Sequence, residues 1–344
     1  MRKLLKLILR KITPIRKVLS SILLNRIARN SRIQIKPKFV KEQVIWLARA
    51  SISLDDQKTI CTLEISDNFN PAEPGSRRLL ECLRYWVPLT VFHCRTRGTQ
   101  KTFSFCSDDT DTSHNEIFSM DGTNIQWLVP DLFSMQEATK YTRPKQPETQ
   151  ENFENKWQKR PLKMFWRGTT TGQGRINNPT QLYSIPRVII CRQFNKYKDF
   201  DIKISSINCP SHIRADAENL LKSLDIWGDF VDESIFGNAK YYPDIPGNAL
   251  AWGTIRKYMR GCLIFKPESK RELYYYRLIK PWVHFVPVKN NFSDLRDKFT
   301  WAENNPSHAM KIAWEGKQFA TEYIHKIRYH FDNAITLQLN KPKH

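Results

Sequence analysis

The chain lacks the sequence marks of several common protein classes. Its seven cysteines, Cys61, Cys82, Cys94, Cys106, Cys191, Cys209 and Cys262, are odd in number and include no Cys-x-x-Cys pair. That pattern excludes a disulfide framework and a structural zinc site, and it predicts small apolar core residues in a reducing compartment. No run approaches the ~20 uncharged apolar residues of a membrane-spanning helix. Nor is there the uninterrupted apolar centre, followed by small residues at a cleavage site, that marks a secretory leader. The glycine-rich stretch at 168–174 has no Gly-Lys-Ser/Thr ending and no dinucleotide-binding spacing, so nucleotide hydrolysis and NAD binding find no support. Internal repeats and low-complexity blocks are absent. Residues 1–41 contain no acid at all.

The chain has 344 residues, 40% of them hydrophobic and 12% aromatic, enough for two medium globular domains. Its net charge of +21 is unevenly placed, with thirteen Lys and Arg in residues 1–41. In that segment Leu4, Leu5, Ile8, Leu9, Ile12, Ile15, Leu19, Ile22 and Leu23 recur at helical spacing, and Pro14 divides them. This reads as a basic amphipathic helical segment lying on an anionic cytoplasmic membrane surface, where each base near the surface contributes ~1 kcal/mol. A helix packed on the chain's own body with a solvated basic face is the alternative. A nucleic-acid reader would interleave aromatics with the basic stripe, whereas residues 1–41 carry aliphatics and only Phe39, so no nucleic-acid partner is expected.

Past the basic segment, residues 42–140 predict a first α/β domain. Its strands fall at Ile60–Ile65, Val91–Cys94, Phe103–Phe105 and Ile125–Val129, with a helix from Arg77 to Trp86. Residues 141–160, rich in Pro, Gln, Glu, Asn and Lys, predict a linker. A second α/β domain spans 161–320, with strands at Val188–Ile190 and Leu263–Phe265 and helices at Ala215–Leu224 and Thr254–Arg260. A C-terminal helix and tail occupy 321–344. Two such domains facing a cleft bind ligands beyond the carboxyl ends of their strands.

The densest local pattern is Phe165-Trp166-Arg167-Gly168-Thr169-Thr170-Thr171-Gly172-Gln173-Gly174-Arg175. Glycine admits backbone N–H groups close to an anion, threonine adds hydroxyl donors, and arginine presents a charged planar fork suited to diphosphate oxygens. A glycine-rich surface turn with solvated arginines reads equally well from composition. Further on come Lys240-Tyr241, Gly247-Asn248, Leu263-Ile264-Phe265-Lys266 and Lys280-Pro281-Trp282-Val283-His284-Phe285-Val286-Pro287-Val288. Phe292-Ser293-Asp294-Leu295, Ala309, Ile312-Ala313, Gly316 and Phe319 complete the series.

In order and spacing these blocks resemble glycosyltransferase family 90, which includes capsule-associated xylosyltransferases, protein O-glucosyltransferases and LpsA-type lipopolysaccharide enzymes. The resemblance covers most of residues 60–320. It implies a GT-B-like fold of two Rossmann-like domains facing a cleft, and inverting, metal-independent sugar transfer from a UDP-sugar with no cofactor. Within it, Arg167 and Arg175 become candidates for stabilising the diphosphate leaving group, with Gly168, Thr169 and Thr170 beside them. Gly247 and Asn248 would meet the diphosphate or the ribose, and Tyr241 or Trp252 would stack on uracil. The family places an aspartate after a first-domain strand and shortly before a proline, which matches Asp67 in Ile65-Ser66-Asp67-Asn68-Phe69-Asn70-Pro71 and suggests the general base. Asp-Asn and Asn-Pro also form turns without any such role. Asp131 is a second candidate for the base, but it and Phe133 fall where the family lines its cleft, which implies an acceptor-binding role.

Many relatives carry an acidic residue before the glycine of the Gly-Asn pair and an arginine six positions after it; here those positions are Pro246 and Gly253. Arg256, about one helical turn on, offers a similar reach. The departures leave open a non-catalytic member that binds glycans or scaffolds other enzymes. Asp109-Thr110-Asp111 spells a metal-chelating Asp-x-Asp, but its setting is a polar loop, so no metal is expected. His284 and Tyr274-Tyr275-Tyr276 read as core or cleft-wall residues. The expected acceptor is a lipid-linked saccharide such as a bacterial lipopolysaccharide core intermediate, met at the cytoplasmic face of the membrane.

Overall fold

The computed structural model describes residues 17, 20–24, 33–41, 44–54, 59–108, 116–141, 147–172 and 174–339. Most of the expected amphipathic helix and the Asp109-Asp111 pair lie outside those residues. The chain divides into two units, residues 1–136 with 326–344, and residues 137–325.

The first unit is built on a mixed five-stranded sheet. Its strands are β1 (Ile33–Val40), β2 (Leu47–Leu54), β3 (Thr59–Ser66), β4 (Thr102–Cys106) and β5 (Ile117–Ser119), ordered β1-β3-β2-β4-β5. The β1–β3 and β4–β5 pairs are parallel, and β2 runs antiparallel to both β3 and β4. Alternation drives β3, where Cys61, Leu63 and Ile65 are fully buried on one face. Sheet residues thus begin at Ile33, inside the segment 1–41 that the sequence sets apart.

Helix α1 (Pro74–Arg97) starts with proline in its first turn and ends at Gly98, which takes the left-handed conformation. It runs straight through Val91–Cys94, where the sequence predicts a strand. Trp86, Val87, Thr90, Val91 and Cys94 are all buried, a spacing that keeps one helical face on the sheet. Trp86 stacks on Phe105 with ring centroids 5.3 Å apart. The strand expected at Ile125–Val129 is instead a single 3-10 turn, Ile125–Trp127, followed by one bridge from Leu128 to Ser119.

Helix α2 (Leu132–Lys140) leads into the second unit. The expected linker contains α3 (Gln150–Gln158), capped by the Thr149 hydroxyl and anchored by buried Phe153 and Trp157. Low apolar content hid it, because two aromatics supply the whole buried face.

The second unit holds a five-stranded parallel sheet, β6 (Met164–Thr169), β7 (Phe200–Ser206), β8 (Tyr241–Pro243), β9 (Leu263–Pro267) and β10 (Val286–Val288). The order across it is β10-β9-β8-β6-β7. Helix α4 (Pro186–Phe194) joins β6 to β7, α5 (Arg214–Ser223) joins β7 to β8, and α6 (Thr254–Met259) joins β8 to β9. The strand expected at Val188–Ile190 is the middle of α4. Pro186 opens that helix, and Val188, Cys191 and Phe194 turn inward at helical spacing while Ile189 stays exposed. After β10 come α7 (Leu295–Asn304) and α8 (Pro306–His325).

Helix α9 (Ile327–Leu339) belongs to the first unit, not to a separate tail. Its Asp332 accepts from His93 Nδ1 at 2.6 Å and from Arg97 Nη2 at 2.9 Å, fastening it to α1. Burial alone would raise the Asp332 pKa, but the bonds from His93 and Arg97 outweigh that and hold the carboxyl below the usual range. A depressed carboxylate contributes stability above its unfolded pKa of about 4 and loses it as pH falls through the lower folded value. Asp332→Asn is therefore expected to lower the melting temperature at pH 7, with the gap from wild type closing as pH falls through the lowered folded value. Thermal unfolding of both proteins from pH 7 to pH 2.5 checks this.

Candidate functional site

In order of appearance the strands of the second unit lie 5-4-3-1-2 across the sheet, so the chain reverses direction between β6 and β8. At such a switch point the loops leaving neighbouring strands diverge and open a crevice beyond the carboxyl ends. The two loops that meet there are the glycine-rich stretch after β6 and Asp244–Asn248 after β8.

Arg187, the second residue of α4, joins them. Its Nε donates to Pro246 O at 2.9 Å, its Nη2 to Ile245 O at 2.9 Å, and its Nη1 to Thr169 O at 3.2 Å and Thr171 Oγ1 at 2.8 Å. The guanidinium also lies 5.3 Å from the Trp166 ring centroid. Burial presses its pKa down, but arginine stays charged in proteins. Its hydrogen-bond partners are carbonyls and a hydroxyl, and no carboxylate lies within ion-pair distance among the described residues. A full positive charge is thus held at the switch point without being neutralised.

Asn248 adds the second tie, its Oδ1 accepting from Gly172 N at 2.8 Å. Two glycines are required here. A Cβ on Gly247 would stand 2.8 Å from Thr171 Oγ1 and 3.1 Å from Arg187 Nη2, and Gly172 has φ +128°. The far side of the loop is held from just past β7, where Asn208 N donates to Thr170 Oγ1 at 2.9 Å and Asn208 Nδ2 to Gly174 O at 3.4 Å. Arg175 stands exposed beside this clamp. This geometry brings Thr169–Gly172 and Gly247-Asn248 into contact.

Other expected site residues are engaged elsewhere. Arg167 pairs with Asp201 Oδ1 at 2.8 Å and donates to the carbonyls of Trp166 and Asp201, both at 2.9 Å. Asp201 lies opposite Phe165 in the β6–β7 register, so the Arg167 side chain runs back along the sheet, away from the carboxyl ends. Gly168 makes room for an indole: a Cβ there would lie 2.3 Å from Trp166 Cζ2. Tyr241 is buried in β8 between Trp157, Phe265 and Phe299, and its hydroxyl donates to Glu303. It is a core residue, not a platform for a base. Arg256 pairs with Glu137 at 2.7 Å and Glu233 at 3.9 Å. Trp252 is half-buried.

In the first unit, Asp67 is half-buried just past the carboxyl end of β3, where its N donates to Val40 O at 2.9 Å. Asp131 caps α2. Its carboxylate accepts from Phe133 N at 2.9 Å, Ser134 N at 3.0 Å and Ser134 Oγ at 2.6 Å. Burial pushes its pKa up against the pull of those bonds. The role expected for Asp131 at the acceptor thus gives way to a capping role, and Phe133 is half-buried beside it.

Sequence reasoning missed Arg187, Asn208 and the buried pair Asp244–Lys266. Asp244 is 3% exposed, accepts from Thr254 Oγ1, and has Lys266 Nζ 3.9 Å from its Oδ2. One signal was available for Arg187: a base in the first turn of a helix, right after proline, opposes the helix dipole and needs another reason to be there. All seven cysteines are buried thiols, as the sequence predicts. Among the described residues no three His, Cys, Asp or Glu side chains gather as a metal site. No described helix is long and apolar enough to cross a membrane.

The sequence model of Glycosyl transferase family 90 matches residues 131–332, which include the whole parallel sheet and both loops of the switch point. The chain belongs to glycosyl transferase family 90. Protein O-glucosyltransferase 2 of Danio rerio is 26% identical over 196 residues, 54% of this chain and 35% of that protein. Protein O-glucosyltransferase 3 of Homo sapiens is 34% identical over 89 residues, 26% of this chain and 18% of that protein. The matches thus span about a third or less of those relatives' lengths. Among solved structures, the C-terminal domain of a glycosyl transferase group 1 family protein from Francisella tularensis is 17% identical. That likeness covers 50% of this chain and 92% of that one, with a TM-score of 0.30. Asp67 lies outside the residues matched to family 90.

Gly168→Ala tests the reassignment of that glycine within the family 90 region. Overpacking against the buried Trp166 indole is expected to remove about 1–3 kcal/mol of stability, lowering the melting temperature by several degrees. An unchanged melting temperature combined with weaker anion binding would return Gly168 to the anion-contact role.

Proposed function

We propose that the protein is an inverting glycosyltransferase that moves a sugar from a UDP-sugar to a glycan acceptor. The observation that carries this reading is the half-buried Arg187 guanidinium, hydrogen-bonded to carbonyls and a hydroxyl with no carboxylate in ion-pair contact among the described residues, at the switch point of a parallel sheet in a family 90 chain. When the bond from the anomeric carbon to the diphosphate oxygen breaks, the electron pair goes to the diphosphate, and negative charge grows on it. Fixed positive charge and N–H donors already in place stabilise that charge without reorganising. In this reading Arg187 supplies the field and holds both loops, while Arg175, Thr169, Thr170 and the backbone of Gly172 and Gly174 would receive a diphosphate.

The acceptor hydroxyl attacks the anomeric carbon, and its proton passes to a carboxylate, for which Asp67 remains the candidate. The reaction as proposed needs no metal. The acceptor we favour is a lipid-linked saccharide such as a lipopolysaccharide core intermediate, at the inner face of a bacterial cytoplasmic membrane. Thirteen bases and no acid in residues 1–41 suit such an anionic surface.

Thermal shift and UDP release with UDP-glucose, UDP-galactose, UDP-xylose and UDP-N-acetylglucosamine, each with and without EDTA, test the reading. At 100 times the dissociation constant, one donor should stabilise the wild type by about 2.7 kcal/mol. Arg175→Ala should weaken donor binding about tenfold, consistent with a lost charge-assisted hydrogen bond. Asp67→Asn should keep binding and lose at least about a hundredfold in turnover. A folded wild type that responds to no nucleotide sugar would favour a glycan-binding member without catalysis.

A further inference from the structure

Outside the switch-point loops, the second unit contains a cavity of about 520 Å³ whose lining includes Lys266, Glu268, Glu272, Tyr276, Trp282 and Phe285. Lys266, near the carboxyl end of β9, is 6% exposed. An ammonium has three N–H donors. The Lys266 Nζ is 3.5 Å from Pro267 O, 3.9 Å from Asp244 Oδ2 and 3.5 Å from the Tyr276 ring centroid. Only the first of these oxygens is at hydrogen-bond length, so two donors on a buried cation lack an oxygen acceptor among the described residues. The Tyr276 ring and Asp244 offset part of its desolvation, and a hydrogen-bond acceptor in the cavity would complete its partners.

Trp282 gives a second, independent sign. It is 37% exposed and adopts φ +63°, an uncommon conformation for a bulky residue. A tight turn holds it there: Trp282 N donates to Phe285 O at 2.7 Å, His284 N to Lys280 O at 3.0 Å, and Lys280 N to His284 Nδ1 at 2.9 Å. Its indole meets Trp301 at 4.8 Å between centroids. The backbone is strained, and the result is a partly exposed indole among the cavity's lining residues.

The charges of the lining select the ligand. A phosphate would meet Lys266 but also Glu268 and Glu272, neither of which is paired among the described residues. A cation would meet the two carboxylates but also the ammonium. A hydroxyl satisfies both, because it accepts from an ammonium and donates to a carboxylate. A ring of hydroxyls with an apolar C–H face also suits an aromatic wall, and the volume is that of a small-molecule site.

We propose that this cavity binds a saccharide ring, with hydroxyls accepting from Lys266 and donating to Glu268 and Glu272, and a C–H face against Trp282. The inference deepens the glycosyl-transfer reading and depends on it only for which substrate carries the ring.

Saturation-transfer NMR on the full chain, using UDP, the four UDP-sugars above and the matching methyl glycosides, tests the proposal. Ring protons of at least one ligand should receive saturation. Trp282→Ala should cut that signal at least fivefold while leaving any uracil signal unchanged, and Glu272→Gln should weaken ring binding about tenfold. These two residues border the cavity, so they serve where Lys266→Met fails to fold because it strands Asp244. Ring signal from UDP-sugars alone assigns the ring to the donor. Ring signal from a methyl glycoside that persists with UDP-sugar bound assigns it to the acceptor. Uracil signal without ring signal, or ring signal untouched by both variants, overturns the cavity assignment and leaves the nucleotide reading standing. Ring signal from methyl glycosides with no uracil signal from any nucleotide keeps the cavity and removes the nucleotide reading.

Discussion

The second unit is organised around one guanidinium. Arg187 collects the carbonyls of Thr169, Ile245 and Pro246 and the hydroxyl of Thr171, so two loops with no regular structure of their own share a single rigid anchor. A buried charge without such partners would cost several kcal/mol, and the carbonyl dipoles offset that desolvation without cancelling the charge. This one constraint accounts for several local choices. Gly247 has no Cβ because the Thr171 hydroxyl and the guanidinium it bonds occupy the space, Gly172 turns back under Pro186, and Asn248 reaches across to the Gly172 N–H. Replacing the arginine with lysine would keep the charge and lose the fork that ties four oxygens at fixed angles.

Arg187 also differs in its partners from the unit's ion-paired cations. Arg167 is neutralised by Asp201, Lys257 by Glu233, Arg256 by Glu137 and Arg296 by Asp199. These pairs fasten strands and helices, and their fields fall off quickly beyond each pair. Arg160, Arg187, Lys240 and Lys266 have contacts that are mostly dipoles and rings, but Arg160 and Lys240 precede β6 and β8, whereas Arg187 and Lys266 sit near the carboxyl edge of the sheet. In a protein with 55 Lys and Arg, residue type alone says little about where an anion or a hydroxyl will be received. What matters is which cations have no carboxylate in direct contact, and that depends on register and packing.

This is why the sequence was legible in some places and opaque in others. β3, β4 and β9 are short apolar or alternating runs bounded by turn residues, and their positions could be read directly. Val188–Ile190 and Val91–Cys94 have the same β-branched, apolar look, yet each lies within a helix whose buried face is set by residues farther along, Phe194 in one and Trp86 in the other. Short apolar runs carry no period of their own, so neighbours decide. The glycine-rich stretch and Gly247-Asn248 were legible as partners through their resemblance to a family pattern. The role of Arg167 was not, because nothing local reveals that Asp201 stands two residues back on the next strand. The return of α9 to the first unit likewise depends on a contact between His93 and Asp332 that is remote in sequence.

The two binding features proposed for the second unit have opposite electrostatic needs. A diphosphate requires positive charge with no carboxylate near it, whereas a neutral sugar ring requires acceptors as well as donors, and Glu268 and Glu272 supply them at the price of repelling any phosphate nearby. Asp244 lies between these demands in the chain. Its neighbour Ile245 gives its carbonyl to Arg187, while its own carboxylate faces Lys266. Burial pushes the Asp244 carboxyl up and the Lys266 ammonium down, so each favours its neutral form except as the other holds it charged. A mutually dependent pair of this kind adds little net field at a distance. It therefore carries little of the charge of either proposed site into the other.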